Sequence, residues 1–123
     1  MSDQIKIHNK QTYSIIELNG RFLPGGDPDV SDLIRDHIRE QADLGVKGIV
    51  LDLRNVDFFA SNAIGALMSG YNLLMDKGAK LILWRPKSYL RDSLRLVRVD
   101  KLLTIVDDLD EAMDIMGLPP VND

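Results

Sequence analysis

The first part of the chain has the two-residue hydrophobic period of β-strands. Residues 4–8 (QIKIH) alternate polar and apolar positions, and residues 12–18 (TYSIIEL) are rich in β-forming side chains. Asn19-Gly20 is typical of a turn and is predicted to end the second strand. Because the linker His8–Gln11 is short, the two segments are predicted to form a β-hairpin.

Residues 23–45 have the pattern of a loop followed by an amphipathic helix. The stretch 23–29 (LPGGDPD) is dense in Gly, Pro and Asp, which favour loops. Either Asp29 or Ser31 is suited to cap the helix, and Gly45 is suited to end it. The apolar positions with helical spacing are Val30, Leu33, Ile34, Ile38 and, less regularly, Ala42.

The rest of the chain alternates short apolar runs with helical segments. The runs, typical of buried strands, are 48–53 (GIVLDL), 80–84 (KLILW) and 102–106 (LLTIV), and the helical segments are 61–77, 87–97 and 110–116. The order β-β-α-β-α-β-α-β-α predicts an α/β fold with a mixed central sheet of about five strands and about four helices. We expect one domain over residues 1–117 and a mobile tail at 118–123.

Composition and charge narrow the range of functions. The chain has 123 residues, no cysteine and a formal net charge of −4. The lack of cysteine removes disulfides, thiolate catalysis and cysteine zinc sites, and the negative charge disfavours direct binding to nucleic acid. The polar N-terminus has no apolar signal core, so we expect a cytoplasmic protein. The uncharged run 58–75 contains several Ser, Asn and Gly residues and is too polar for membrane insertion.

No set of residues with catalytic spacing is present in the sequence. His8 and His37 are the only histidines, and neither belongs to a paired metal-ligand pattern. No nucleophile elbow, P-loop or dinucleotide-binding glycine motif occurs. We therefore expect no catalytic residue, no metal and no cofactor, and a protein that is not an enzyme.

Asp52 is the one charge inside the apolar run GIVLDL. It has two interpretations. In the one we favour, its carboxylate accepts backbone hydrogen bonds from the adjacent loop. In the other, it lies near a functional surface.

Three arginines recur with helical spacing near the third helix. Arg91, Arg95 and Arg98 are predicted to lie on one side of that helix, with Asp92 and Asp100 beside them. Mixed charges of this kind are typical of a solvated face, and we favour that interpretation over a phosphate-binding site.

The stretch 56–70 (VDFFASNAIGALMSG) is the most informative part of the sequence. It leads from a buried strand through a short loop into a helix that starts near Ser61. A serine there is a favoured N-cap, because its hydroxyl accepts from the free N–H groups of the first turn. The same N–H groups favour a phosphate, so phosphorylation of Ser61 is a second interpretation.

The helix that begins near Ser61 has a large apolar side and a small side. The large side, predicted to face the core, consists of Ile64, Leu67, Met68, Tyr71, Leu74 and Met75. The small, uncharged side consists of Asn62, Gly65, Ala66 and Ser69. Gly65 and Gly70 lower helix propensity, so close contact is expected, either with another element of the chain or with a partner. The pattern favours these two about equally.

Together these segments resemble a STAS domain, the module shared by sulfate transporters and bacterial anti-sigma factor antagonists. The resemblance includes the hairpin that ends in Asn19-Gly20-Arg21, the strand and loop IVLDLRNVDFF, the serine-led helix, KGAKLILW, the helix before LLTIV and the acidic closing helix. At the key turn the family pattern is roughly Asp-Ser-(Ser/Thr)-Gly-Leu-Gly, and here residues 60–65 read ASNAIG. Ser61 therefore falls where the family carries its phosphorylated serine.

The resemblance implies a phosphorylation-controlled binding protein that acts on transcription indirectly in a bacterial cell. In such antagonists the unmodified form binds an anti-sigma factor, which is also a serine kinase. Phosphorylation of the serine separates the complex, and a serine phosphatase resets it. The residues expected to bind the partner around Ser61 are Ala60, Asn62, Gly65, Ala66 and Ser69.

Two positions depart from the family pattern. Ala60 stands where the family usually has Asp before the serine, and Leu23 stands where an acidic residue is common after the second strand. Two alternatives remain open. One is a STAS subunit of a membrane transporter, which needs no phosphate on Ser61. The other is a module that senses a small ligand or nucleotide through the Gly-rich loop at 24–26.

Overall fold

The chain folds as a five-stranded mixed sheet with four helices. The computed structural model describes residues 4–121. Its elements, in chain order, are β1 (Ile5–Asn9), β2 (Ser14–Phe22), α1 (Val30–Asp43), β3 (Gly48–Phe59), α2 (Ser61–Asp76), β4 (Lys80–Trp84), α3 (Ser88–Leu96), β5 (Thr104–Val106) and α4 (Leu109–Met116). The strands lie in the order β1-β2-β3-β4-β5; β1 is antiparallel to β2, and all other neighbours are parallel. The predicted fold class, element order and hairpin are confirmed.

Alternating side chains of the strands form two apolar layers, one on each face of the sheet. On one face, Ile49 and Leu51 of β3 belong to the main core, which α1, α2 and α3 cover. On the other face, Val50 of β3 and Ile82 of β4 pack with Met113 of α4. The alternation is the two-residue period of a strand. It explains why β3 and β4 have nearly continuous apolar sequences, since both of their faces are covered.

β2 and β3 are longer than the sequence pattern predicted. β2 does not end at Asn19-Gly20 but continues to Phe22, because register shifts on either side let the chain pass Gly20 at φ 89° while it stays paired with β3. The predicted strand 48–53 continues to Phe59, and only Val56 and Phe59 of this extension are buried. That three-residue spacing differs from the period of a strand, so the extension resembles a loop in the sequence.

Both ends of α1 and the C-terminal end of α2 follow capping residues in the sequence. Asp29, rather than Ser31, caps α1, since its carboxylate accepts the backbone N–H of Ser31 at 2.8 Å. Gly45 and Gly78, predicted to end α1 and α2, follow them with φ of 82° and 73°. Both lie in the left-handed region, where glycine avoids the steric cost of a Cβ.

The predicted row of three arginines is wrong at its last member. α3 ends two residues before Arg98, which has φ 62° and lies in the following turn. Arg91 pairs with Asp107, and Arg95 pairs with Asp92 at 3.4 Å, so the two arginines on the helix have surface ion partners. β5 also begins later than predicted, at residue 104, because the preceding residues belong to the same turn.

The segment after α4 runs back along that helix. Leu118 and Val121 pack against the apolar layer of α4, and the Val121 N–H donates to the Asp110 carboxylate at 2.9 Å. Residues 122–123 lie outside the described residues. The domain boundary at residue 117 and the mobility of the tail 118–123 stay predictions.

Candidate functional site

Ser61 lies at the edge of the sheet where the parallel strands end. It is the first residue of α2, and only Ala60 separates it from the last residue of β3. The Ala60 N–H donates to the Phe22 carbonyl at 3.0 Å, and the rings of Phe22 and Phe59 meet edge to face with centroids 5.1 Å apart. The ends of β2 and β3 therefore hold the start of α2 in place.

The N-cap of α2 is Ala60, so the predicted capping role of Ser61 is wrong. Ala60 has the extended backbone of a cap (φ −73°, ψ 167°), and its carbonyl accepts the N–H groups of Ala63 and Ile64 at 3.0 and 3.2 Å. The reason is the extra length of β3, which keeps the chain extended through Ala60. The Ser61 side chain is exposed and makes no hydrogen bond with any described residue. Its hydroxyl is accessible to another protein.

Asn62 connects the start of α2 to the start of α1. Its side-chain amide donates to Asp29 Oδ1 at 3.2 Å and to Ser31 Oγ at 2.6 Å. Its own Oδ1 is buried and has no partner among residues 4–121. The donors of Asn62, which we expected to meet a partner, are therefore used inside the domain.

The small side of α2 is divided between the core and the surface. Ala66 is fully buried, so it is not available to a partner. Gly70 is also buried, and a Cβ there would lie 2.6 Å from Ile38 Cδ1 of α1. For these two residues the close contact is internal, because α1 packs along α2. Gly65 is partly exposed and Ser69 is exposed, so they stay candidates for partner binding.

The buried stripe of α2 is rotated relative to the predicted one. Its fully buried residues are Ala63, Ala66, Leu67, Gly70 and Leu74. Ile64, Met68 and Tyr71, predicted to face the core, are only partly buried, and Met75 is 60% exposed. The rotation follows from packing against α1, which a hydrophobic pattern within α2 alone does not reveal.

Arg35 of α1 lies against the exposed part of the small side, and the sequence analysis missed it. Its Nε donates to Ser69 Oγ at 3.4 Å, and its Nη2 would lie 3.8 Å from a Cβ on Gly65. Arg35, Arg39, Ser69, Gly70 and Leu73 line a groove of about 70 Å³ between the two helices. The only signal in the sequence is the four-residue spacing of Arg35 and Arg39 on α1. This spacing predicts a groove only when α1 and α2 are known to pack together.

Leu23 supplies an exposed apolar side chain next to the start of α2. It follows Phe22, whose carbonyl binds the Ala60 N–H, and it is 44% exposed. We call Leu23, Ala60, Ser61, Gly65 and Ser69 the Ser61 surface. The exposed part of the Leu23 side chain is available to a partner.

Asp29 is the anionic group that organises the loop before α1. Its Oδ2 accepts the Gly25 N–H at 2.9 Å, and Oδ1 accepts the N–H of Ser31. The backbone hydrogen bond from Gly25, then that from Ser31, and further hydrogen bonds from the Ser31 and Asn62 side chains hold the pKa of Asp29 below its usual value. The carboxylate thus ties the Gly-rich loop to both helices.

Asp52 is part of a separate cluster between β3 and β4. It is 6% exposed and accepts the backbone N–H of Arg54 at 3.2 Å, as in the interpretation we favoured. Arg85 adds an ion pair that the sequence did not suggest, with both of its hydrogen bonds to the carboxylate at 3.3 Å. The Arg85 guanidinium also stacks 3.8 Å from the centroid of Trp84. Asp52 is therefore satisfied by internal partners.

The histidines have carboxylate neighbours on the surface. His8 lies 3.3 Å from Glu17, and His37 lies 3.1 Å from Glu40. Within residues 4–121 no three or more metal-binding side chains come together.

No helix in the described part of the chain has both the length and the apolar character needed to cross a membrane.

Comparisons with known proteins find solved structures with a similar fold. The protein is similar to the anti-sigma factor antagonist SpoIIAA in its unphosphorylated form, with a TM-score of 0.70, 18% identity, and coverage of 92% of this chain and 97% of that one. It is also similar to phosphorylated SpoIIAA of Bacillus (TM-score 0.67, 18% identity, coverage 90% and 97%). A third similar structure is an anti-sigma factor antagonist from Mycobacterium paratuberculosis (TM-score 0.69, 19% identity, coverage 92% and 92%). At these identities the likeness is one of fold.

The sequence comparisons extend this result. Comparison with curated protein sequences gives no match. The family model of the STAS domain matches residues 4–112, which include every strand and the first half of α4. The chain belongs to the STAS domain family.

Proposed function

We propose that this protein is an anti-sigma factor antagonist that binds a partner protein through the Ser61 surface and is released when Ser61 is phosphorylated. The partner in this proposal is a cytoplasmic anti-sigma factor with serine kinase activity, and a serine phosphatase restores the binding form. The protein itself catalyses nothing and acts on transcription indirectly. The observation that carries the proposal is the exposed, unbonded hydroxyl of Ser61 at the first position of α2.

The position of Ser61 suits a phosphate without harm to the fold. A phosphoryl group adds about −1.5 to −2 charges at neutral pH. At the start of a helix the free N–H groups and the helix dipole favour negative charge. The folded state of the free protein therefore tolerates the modification at Ser61.

The same charge is costly in a protein interface. Leu23 and Gly65 contribute an apolar and a small residue to the surface around Ser61, so a partner that covers them removes water from the phosphate. Removing a charged group from water costs several kcal/mol, and this cost remains large even when a cation pairs with the charge. Since about 1.4 kcal/mol changes affinity tenfold, even part of this cost separates the complex.

The proposal is tested by a pull-down from the native cell with three forms of the protein: wild type, Ser61→Asp and Ser88→Asp. Ser88 is a matched control, because it is also exposed and is the first residue of a helix, α3. We expect a kinase-like anti-sigma factor to bind the wild type and Ser88→Asp but not Ser61→Asp. Mass spectrometry of the protein from the same cells should find phosphate on Ser61.

Two results would contradict the proposal. If a transporter ATPase is recovered equally with all three forms, the protein is a transporter subunit and Ser61 is not its switch. If the kinase-like partner binds Ser61→Asp as well as wild type, the Ser61 surface is not where the partner binds.

A further inference from the structure

We propose that Arg35 binds the phosphoryl group of phosphorylated Ser61 and holds it over Gly65. This inference rests on the proposed function, in which Ser61 is phosphorylated. It adds a cationic group on α1 that receives the phosphate, and it gives the glycine at position 65 a role.

The two helices run side by side in the same direction. Asn62, near the start of α2, bonds to Asp29 and Ser31 at the start of α1, at 3.2 and 2.6 Å. At the other end, Lys77 after α2 pairs with Asp43 of α1 at 3.2 Å. Side chains of α1 therefore meet α2 at corresponding positions along the two helices, and Arg35 reaches α2 around its midpoint, between Gly65 and Ser69.

The guanidinium of Arg35 lies about one helical turn from Ser61. Ser61, Gly65 and Ser69 are spaced four residues apart, so their side-chain positions follow one another on one side of α2 at about 5–6 Å. Arg35 Nη2 is 3.8 Å from the position of a Cβ on Gly65, and its Nε is 3.4 Å from Ser69 Oγ. Side chains on a helix tilt towards its N-terminus, so the phosphoryl group reaches Gly65 by rotation about the Ser61 side-chain torsions, and a rotation of the long Arg35 side chain spans the rest.

The present partners of Arg35 are weaker than a phosphate. Arg35 forms an ion pair with Asp32 at 2.9 Å, in which the Arg35 side chain is 33% exposed and the Asp32 side chain 62% exposed. Ion pairs as exposed as this one contribute little to stability. The bond to Ser69 is long. A phosphate has about twice the charge of a carboxylate and accepts two parallel N–H bonds from a guanidinium. Arg35 is therefore expected to exchange Asp32 for the phosphate.

The other charges on α1 and before α3 favour Arg35 as the cation that receives the phosphate. Asp29 lies next to Asn62, and Asp32 lies one turn before Arg35, so two carboxylates at the start of α1 oppose a phosphate. Arg39 is one turn further along α1 and pairs with Asp36 at 3.2 Å. Lys87, before α3, pairs with Asp57 at 2.6 Å. Arg35 is the cation whose position next to Gly65 the geometry defines.

Gly65 leaves the space that the bound phosphate needs. Apart from the backbone of α2, a Cβ at this position would have only Arg35 within 4 Å among residues 4–121, so the space above Gly65 is otherwise open. A phosphate held there by Arg35 covers Gly65 and approaches Ser69. It would thus occupy part of the Ser61 surface in addition to bringing charge to it.

The test uses full-length protein in which phosphoserine is incorporated at position 61 by an expanded genetic code, so no kinase is needed. The second pKa of the phosphate is measured by 31P NMR in four forms: wild type, Arg35→Gln, Arg39→Gln and Lys87→Gln. A nearby cation favours the dianion and lowers this pKa. We expect Arg35→Gln to raise the second pKa of the phosphate by about 0.5–1 unit. This shift is smaller than that of a buried ion pair, because the site is partly exposed to solvent. Arg39→Gln and Lys87→Gln should leave it unchanged.

A direct measurement keeps the test valid if Arg35→Gln does not fold. In the wild type, the Arg35 Nε–H resonance should move when unmodified protein is compared with the phosphoserine form, while that of Arg39 stays in place. The inference would be overturned if the phosphate pKa is the same in all four forms or changes only in Lys87→Gln. It would also be overturned if the Arg35 Nε–H resonance does not move. None of these results bears on whether a cellular kinase modifies Ser61. The mass spectrometry of protein from the native cell tests that question separately.

Discussion

At the scale of single residues, Ser61 is free for chemistry because it has no structural task. One of the two interpretations of the sequence made it the N-cap, but Ala60 holds that position, and no described residue bonds to the Ser61 hydroxyl. The result depends on where β3 ends, and the irregular burial of residues 54–59 hides that end in the sequence. A difference of one residue in where α2 begins therefore decides whether Ser61 caps the helix or has an accessible hydroxyl.

Ser61→Ala should leave the free energy of unfolding within about 0.5 kcal/mol of wild type, because the substitution removes no hydrogen bond. Asp108→Ala is the control. Asp108 is the true N-cap of α4 and accepts the Asp110 N–H at 2.9 Å, so its loss should cost about 1 kcal/mol. Urea denaturation of the three forms measures both changes. A loss in Ser61→Ala as large as that in Asp108→Ala would mean that the Ser61 hydroxyl has a capping partner after all.

Asp29 should make the stability of the domain depend on pH in the acidic range. Its folded-state pKa is lowered, chiefly by the backbone N–H groups of Gly25 and Ser31, so its carboxylate contributes stability above its unfolded-state pKa. That contribution is lost as the pH falls through the folded-state pKa. Asp29→Asn, which keeps a capping side chain but not the charge, should therefore be less stable than wild type at pH 7 and differ less at pH 3.

The control for Asp29→Asn is Asp27→Asn, an exposed position in the same loop. Urea titrations at the two pH values give the comparison. If the difference between wild type and Asp29→Asn is the same at pH 7 and pH 3, the carboxylate of Asp29 is not held in its charged form by the loop.

At the scale of elements, the α1–α2 contact decides which parts of the α2 pattern are structural. The sequence left internal packing and partner binding equally open for the small side of α2. The structure assigns Ala66 and Gly70 to the interior and leaves Gly65 and Ser69 at the surface. Periodicity within one helix cannot make this division, because it requires knowing which neighbouring helix packs against which side.

Gly65→Ala and Gly70→Ala should change stability in opposite directions. Both substitutions gain helix propensity, about 1 kcal/mol at most. At Gly65 the new Cβ would meet only Arg35 Nη2 at 3.8 Å, so the gain remains. At Gly70 it would lie 2.6 Å from Ile38 Cδ1 in the core, and overpacking of about 1–3 kcal/mol outweighs the gain. Thermal and urea unfolding of the two variants, side by side, measure the signs. A stabilised Gly70→Ala would show that α1 and α2 separate easily.

At the scale of the whole molecule, alternation of strands and helices was enough to predict the architecture. The three apolar runs gave β3, β4 and β5, and their continuous character followed from helices on both faces of the sheet. The features that could not be predicted depend on contacts between distant segments. Arg85 with Asp52, Asn62 with Asp29, and Arg35 with Ser69 each join residues more than 30 positions apart.

The exposed leucines of the molecule allow a test of which end of the sheet binds the partner. In a parallel sheet the strand-to-helix loops lie at the carboxyl ends of the strands and the helix-to-strand loops at the amino ends. Leu23 precedes α1 and lies at the carboxyl end, next to Ser61. Leu96, 83% exposed, ends α3 and lies at the opposite end. The same substitution at the two leucines therefore separates a local effect from a general one.

Leu23→Lys should weaken binding of the partner by at least about tenfold, since a charge that is not the acidic one common at this position in the family replaces an apolar contact next to Ser61. Leu96→Lys should bind like wild type. Both leucines are exposed, so both variants should keep their melting temperatures close to that of wild type. Isothermal titration calorimetry with the partner recovered in the pull-down gives the affinities. If Leu96→Lys loses affinity and Leu23→Lys does not, the partner binds at the amino ends of the strands, and a phosphate on Ser61 could not act on the complex by direct contact.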